Sequence, residues 1–305
     1  MRLNSIKYTL NKAKKGNYAV GQFNFYNLES AIAIINAAKK MRSPVIMAAT
    51  EKAIKYAGLD NIVSIVKNLA KDAKIPIVLH LDHGQDEKMI HKCIRKGFTS
   101  IMIDGSYLDF NKNIRLTKRI VDYAHLRGVS VEAELGQLKG NEDGIKSDQH
   151  IYTDPETVKE FVKKTNVDCL AVAIGTSHGA YKFKAEANLR FDILKKIREE
   201  INIPLVLHGA SSVYSGNVKK ANKFGAKLSD AKGVSDAMLK KAIKTGIQKV
   251  NTDTDLRLAY TLAVREFLTK NPKVIDPRKI NTKAIEEMQK LVEHKMKVLG
   301  SCGKS

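Results

Sequence analysis

Eight short apolar runs recur along the chain, and their recurrence constrains the fold more than any other feature. They are AVGQF (19–23), PVIMAA (44–49), PIVLHLD (76–82), TSIMID (99–104), VSVEAEL (129–135), CLAVAI (169–174), PLVLHG (204–209) and QKVN (248–251). Longer stretches separate them, and most carry apolar residues at helical spacing. ESAIAIINAAKKM (29–41) is one; TDPETVKEFVKK (153–164) is another, with Asp154 as the expected N-cap and Pro155 at the first helical position. Continuous apolar strands alternating with helices predict a parallel sheet covered on both faces. Eight such units in roughly 250 residues predict a closed (β/α)8 TIM barrel. An open doubly wound sheet is the alternative, but no glycine-rich dinucleotide fingerprint follows the first run.

At 305 residues the chain is long for one ordinary domain and ordinary for one barrel. No linker or low-complexity segment divides it, so residues 1–305 read as a single TIM-barrel domain. The tail places Ile285, Met288, Leu291, Val292, Met296 and Leu299 on one helical face. It is expected to be an additional C-terminal helix packed on the barrel.

Barrel enzymes carry their chemistry at the C-terminal ends of the strands. Read in order, those ends are Asn24, Thr50, Asp82 with His83, Asp104, Glu134, a GTSHG loop with His178, His208, and Asn251. His83, His178 and His208 follow the third, sixth and seventh runs, and a closed barrel brings such distant positions together. Three neutral imidazoles with an open fourth position suit catalytic zinc. His80 shares side-chain parity with Asp82 and reads as a barrel-lining support rather than a ligand. His91, His125, His150 and His294 fall in helices or loops and read as solvated.

Phosphate-binding candidates lie beside the histidines. HGASS follows the seventh run, with Gly209 and Ser211 offering backbone N–H groups. SHGAYKFK brings Gly179, Lys182 and Lys184, and NTDTD follows the eighth run. Phosphate sites after strands seven and eight recur in barrels. A metal beside a phosphate cradle suggests a phosphorylated sugar. The net charge of +21, from 53 Lys and Arg against 32 Asp and Glu, raises nucleic-acid binding as a rival reading. The lysines are scattered through helices, aromatics are 6% and Trp is absent, so base-stacking platforms are scarce. A positive field also draws in a small anionic substrate.

No apolar run approaches the roughly 20 residues of a membrane span. The N-terminal stretch lacks the apolar core of a signal peptide. Cys93, Cys169 and Cys302 are widely separated and suggest neither a disulfide framework nor a cysteine zinc site. A reduced, cytoplasmic protein is expected.

Five ordered motifs, HLDHG, EAELGQLKGNEDG, VAIGTSHGAYKF, LVLHGASS and KVNTDTDLRLA, resemble the class II fructose-bisphosphate aldolases, from about Asn24 to the end of the chain. The resemblance implies a zinc-dependent barrel that reversibly cleaves fructose 1,6-bisphosphate to dihydroxyacetone phosphate and glyceraldehyde 3-phosphate. By matching motif, it implies His83, His178 and His208 as zinc ligands. Asp82 would be the proton donor to the aldehyde-derived oxygen, and Glu142 the residue that exchanges the proton on the dihydroxyacetone phosphate carbon. Asp104 and Glu134 would serve a second divalent metal position, and a monovalent cation (Na+ or K+) joins the implied cofactors.

Gly179, Gly209, Ala210, Ser211, Asn251, Thr252, Asp253 and Thr254 would bind dihydroxyacetone phosphate, with Asp253 available to the sugar hydroxyls. Thr50 stands near the other phosphate, where the family often has serine. Arg257 and Arg278 are the expected cations for that distal phosphate, since the guanidinium fork binds phosphate bidentately. In the family the second of these arginines reaches in from a neighbouring subunit, which implies a homodimer or homotetramer. Lys139 replaces a glycine common in the family's loop.

Three alternatives stand beside this reading. One is a tagatose-bisphosphate aldolase, acting on the C4 epimer. A second is a sugar-phosphate binder without catalysis, against which Asp82 and the three histidines argue. The third is a Schiff-base mechanism on Lys249, which leaves the histidines unexplained.

Overall fold

Residues of one strand alternate between two environments, and in this chain that alternation builds the barrel. The computed structural model describes residues 3–142, 145–147, 150–178, 187–228 and 232–305, with the backbone alone at 139, 141, 142, 145–147 and 178. Its strands are β1 Val20–Asn24, β2 Val45–Thr50, β3 Ile77–Gly84, β4 Ser100–Ile103, β5 Ser130–Leu135, β6 Lys139–Glu142, β7 Ile145–Ser147, β8 Cys169–Val172, β9 Ser177–His178, β10 Leu205–Leu207 and β11 Ile247–Thr252. Eight close into a barrel in the order β1-β11-β10-β8-β5-β4-β3-β2, all ladders parallel. The expected (β/α)8 TIM barrel is the observed fold.

One face of each strand packs outward. Val45, Met47, Ala49, Leu79, Leu81, Val131, Ala133, Leu170 and Val172 belong to the large core shared with the surrounding helices. The other face lines the interior, and its lower layer is apolar: Val20, Ile46, Val78, Cys169, Ala171 and Val206. The helix Ile6–Lys15 closes this end with Ile6, Leu10 and Ala13. Burying an aliphatic side chain of this size contributes roughly 1.5–3 kcal/mol, so the plug is a substantial part of the barrel floor. Two residues further along the same inward face come the polar residues Gln22, His80 and His208, with Ala48 beside them, and then Asn24, Thr50 and Asp82. The apolar floor and polar ceiling follow from one parity.

The final helix, Pro277–Leu299, is N-capped by Asp276 and packs on helices Leu28–Met41 and Thr254–Lys270. Met288, Leu291, Val292, Met296 and Leu299 are buried as the spacing predicts. Asp154 caps helix Pro155–Thr165, again as expected.

Two features differ from the sequence reading. The loop after β5 contains an antiparallel hairpin, β6–β7, and β9 pairs parallel to β6, so Gly140 lies opposite His178. Short, polar, glycine-bearing segments show no apolar alternation, which is why the pattern missed them. His125, expected to be solvated, instead meets Asp168 Oδ2 at 2.8 Å. The same carboxylate accepts the Val131 N–H at 2.8 Å and pairs with Lys7 at 3.0 Å.

Candidate active site

Asp82 and His83 are consecutive in β3, and consecutive strand residues normally face opposite ways. Here both reach one cluster. His83 adopts φ +48°, and the β3–β4 register shifts between Leu81 and Gly84. Such an irregularity re-aims a side chain. Gly84 follows because a Cβ there would stand 2.7 Å from the Met102 carbonyl oxygen.

Asp82 is held from two sides. Asn24 Nδ2 donates to Oδ2 at 2.8 Å, and Asn251 Nδ2 donates to Oδ1 at 3.3 Å. His83 Nδ1 lies 2.9 Å from Asp104 Oδ2, while Asp104 Oδ1 accepts from the Ser106 N–H and hydroxyl. His208 packs edge-to-face on His83, with centroids 4.7 Å apart. Its Nδ1 lies 3.4 Å from Glu134 Oε2, which also faces His83 Nδ1 at 4.0 Å. Asp82, His83, Asp104, Glu134 and His208 are all buried.

The electrostatics ask for a cation. Burial, the largest influence, pulls the His83 imidazole down, yet the Asp104 hydrogen bond and the Asp82, Asp104 and Glu134 charges outweigh it and raise it to about 10. His208 is likewise raised against burial, by Glu132 and Glu134. Burial pushes Asp82 and Asp104 up, but His83, Lys249 and His208 hold Asp82 well below the carboxylate range, and His83 with the Ser106 hydrogen bonds holds Asp104 at about 2. Carboxylates crowded around two imidazoles draw in positive charge, as protons or as a divalent ion.

The donor set suits the ion. Ligand atoms of Asp82, His83 and His208 lie within 4.8 Å of one another, and so do those of His83, Asp104 and Glu134. Among the described residues no well-formed hydrogen bond reaches Glu134 Oε2. Imidazole nitrogen and carboxylate oxygen are zinc ligands. The two groups share His83, so each could hold an ion on one side of that ring.

One layer below lies Glu132, a residue the sequence reading passed over. Its Oε1 accepts from His208 Nε2 at 2.8 Å and from Lys249 Nζ at 3.0 Å; Oε2 lies 2.8 Å from Lys249 Nζ. Burial opposes the Glu132 charge, but Lys249 and His208 hold the carboxyl well below its usual range. The signal was present: Glu132 stands two residues before Glu134 in one strand, so both face inward. Lys249 is buried against this carboxylate within β11, and a paired ammonium is a poor Schiff-base nucleophile. His80 Nδ1 meets Ser100 Oγ at 2.8 Å, and burial together with Lys249 lowers this imidazole to about 3, so it is neutral.

The phosphate candidates gather at the neighbouring strand ends. Gly209 has φ +59°, and a Cβ there would stand 2.6 Å from the Ser177 carbonyl oxygen, so glycine lets the loop after β10 approach β9. Ala210 and Ser211 follow, and Ser211 Oγ accepts the Asp253 N–H at 3.3 Å. Asn251 and Thr252 end β11, and Thr254 opens the next helix. Asp253 is ion-paired with Arg257 at 2.9 Å, and Arg257 Nε donates to Tyr26 Oη at 2.9 Å. Tyr26, Lys52, Ala53, Tyr56 and Arg257 line a pocket of 290 Å3 beside this pair.

Thr50 pairs in register with Asp82 and uses its hydroxyl to cap helix Glu51–Ala57. Arg278 lies elsewhere, 90% exposed in the first turn of the final helix and paired with Asp276 at 3.0 Å. Gly179, Lys182 and Lys184 lie outside the described residues. For His178 and Glu142 only the backbone is described, in β9 and β6. Among the described residues no helix is long and apolar enough to cross a membrane.

Comparison with known proteins places this geometry. The family model for fructose-bisphosphate aldolase class-II matches residues 4–304. The fructose-bisphosphate aldolase of Thermus caldophilus is 46% identical over 298 residues, covering 97% of each chain. That of Geobacillus stearothermophilus is 43% identical, covering 100% of this chain and 99% of the relative. The crystal structure of the YdjI aldolase from Escherichia coli K12 superposes with a TM-score of 0.81 at 33% identity, covering 100% of this chain and 99% of that one.

Proposed function

The chain belongs to the class II fructose-bisphosphate aldolase family, and on that premise we propose that it cleaves fructose 1,6-bisphosphate reversibly to dihydroxyacetone phosphate and glyceraldehyde 3-phosphate. The observation that carries this reading is the convergence of the Asp82 carboxylate with the imidazoles of His83 and His208, ligand atoms within 4.8 Å, next to the Gly209–Ser211 loop. The family is zinc-dependent, and His83, His208 and His178 would hold the ion. Asp104 and Glu134 offer a second divalent position around His83, and a monovalent cation is part of the same proposal. When bound, zinc supplies Lewis-acid polarisation of the ketose carbonyl and offsets the charge left by carbon–carbon cleavage.

The remaining steps fall to the chain. Asp82, kept as a carboxylate, accepts the proton of the hydroxyl that becomes the aldehyde oxygen; in condensation it returns that proton. Asn24 and Asn251 orient it, each through one carboxylate oxygen. Glu142 exchanges the proton on the dihydroxyacetone phosphate carbon. Backbone N–H groups of Gly179 and Gly209–Ser211, with Asn251–Thr254 and the ammonium groups of Lys182 and Lys184, bind the dihydroxyacetone phosphate half. Arg257 and Thr50 serve the distal phosphate, joined by Arg278 from a neighbouring copy in a homodimer or homotetramer. A cytoplasmic location accords with this chemistry.

The test is a coupled cleavage assay on fructose 1,6-bisphosphate with and without EDTA. Cleavage should be abolished by the chelator and restored by zinc. Full turnover by metal-free protein would overturn the proposal.

A further inference from the structure

We infer that the buried Glu132–Lys249 pair is a positioning device for His208, fixing the imidazole with its Nε2 proton on Glu132 and its Nδ1 turned to the metal position. The inference rests on the metal-dependent reading above. Its basis is geometric. His208 Nε2 lies 2.8 Å from Glu132 Oε1. A carboxylate oxygen has no proton to give, so Nε2 must donate. The other nitrogen, Nδ1, points to Glu134 Oε2 at 3.4 Å, on the side shared with His83. The Glu132 contact is the shorter of the two, so Nδ1 is the nitrogen left for a ligand bond once an ion sits between His208 and Glu134.

Lys249 makes that contact durable. Glu132 is fully buried, where a carboxylate needs partners for both of its oxygens. Lys249 Nζ, equally buried, meets both carboxylate oxygens at 3.0 and 2.8 Å. Lys249 thus holds the carboxylate in place facing His208. The pair joins β5 to β11 across the interior, while His208 follows β10 between β8 and β11 in the barrel order. Carboxylate partners behind metal-bound imidazoles orient the ring and raise its basicity.

Two double variants test this against a merely structural ion pair. Glu132→Met/Lys249→Met removes acceptor and charge together, since buried pairs tolerate apolar replacement. Glu132→Gln/Lys249→Met keeps an acceptor without charge. Zinc affinity is read by chelator competition, and the His208 tautomer by 15N-histidine NMR of zinc-loaded protein, assigned with His208→Asn. The Met/Met variant should bind zinc about 10–100-fold more weakly, and the Gln/Met variant should recover part of that loss. Wild-type affinity together with an Nε2-protonated His208 in a cooperatively folded Met/Met variant would overturn the inference.

Should Met/Met not fold, Gln/Met decides alone. Its His208 Nε2 proton resonance must move upfield, because a neutral amide accepts a weaker hydrogen bond than a carboxylate; an unmoved resonance overturns the inference. A wild-type protein that binds no zinc removes both readings. Zinc-binding wild type beside an unchanged variant removes the positioning alone.

Discussion

Lys295 Nζ and Asp255 Oδ2 lie 3.0 Å apart with both side chains buried, an ion pair that ties the final helix to the helix after β11. Asp255 also accepts the Ser212 N–H at 2.8 Å and the Val213 N–H at 2.7 Å. Val213 sits at φ +45°, an unusual conformation for a β-branched residue. The pair therefore anchors the residues that follow the Gly209–Ser211 loop.

Removing one partner strands the other charge in the interior. Lys295→Ala should lower stability by about 3–5 kcal/mol, measured by urea unfolding. A loss within about 1 kcal/mol, the range of exposed pairs, would mean that the ammonium is dispensable.

Metal analysis of purified variants checks the ligand set. His83→Ala, His178→Ala and His208→Ala should each lose stoichiometric zinc, because two remaining protein ligands make a poor site. His80→Ala should keep it, since that ring is occupied with Ser100. Zinc retained by His208→Ala and lost by His80→Ala would reverse the assignment.

Asp82→Ala separates proton transfer from metal binding. Its carboxylate lies within 4.8 Å of both imidazoles, so two roles compete. As the proton-transfer group its loss should cost roughly 10²–10⁴-fold in cleavage while zinc stays bound. If zinc leaves with the carboxylate, Asp82 is a ligand.

Glu142 occupies the hairpin strand that pairs with the His178 strand. Glu142→Ala should slow exchange of the dihydroxyacetone phosphate proton with solvent, followed by NMR in deuterated buffer. Exchange at the wild-type rate would remove this residue from the mechanism.

The epimer is decided by kinetics. The NTDTDLR segment resembles the fructose-specific branch of the family more than the tagatose one, which predicts higher kcat/KM for fructose 1,6-bisphosphate than for the tagatose epimer; a polar contact to one hydroxyl can discriminate strongly. Arg278→Ala should raise KM for the bisphosphate and leave binding of dihydroxyacetone phosphate alone nearly unchanged. Equal or better turnover of the tagatose sugar would transfer the chain to that reading with the zinc mechanism intact.

The barrel was legible because buried parallel strands write themselves as apolar runs, and the strand-end polar residues stood out against them. Asp82, His83, Asp104, Glu134 and His208 meet in space as a closed barrel requires. Glu132 was missed because the strand-end position of Glu134 stood out, although the shared parity of the two acids places both inward; the facing Lys249 shows what the buried carboxylate pairs with. Lys295 was missed for a similar reason: it sits among charged residues on a helix whose apolar stripe drew the attention. The joint reach of Asp82 and His83 into one cluster was invisible, since it depends on a backbone angle that no spacing encodes. The expected distal-phosphate cations are not brought together, for Arg257 is bound to Asp253 and Tyr26, and Arg278 is exposed and paired with Asp276.

The first and last barrel strands are neighbours, and each sends an asparagine to Asp82: Asn24 from β1 and Asn251 from β11. Their amides are 227 positions apart in a chain that leaves the ribosome from its N-terminus. A nascent chain holding β1 to β10 lacks one of the two hands on Asp82. Completion of the Asp82 cradle thus coincides with the most non-local pairing of the fold. Truncated or stalled products carry most of the motifs without the β11 hand on Asp82, so an intact Asp82 cradle reports that synthesis and closure have both finished.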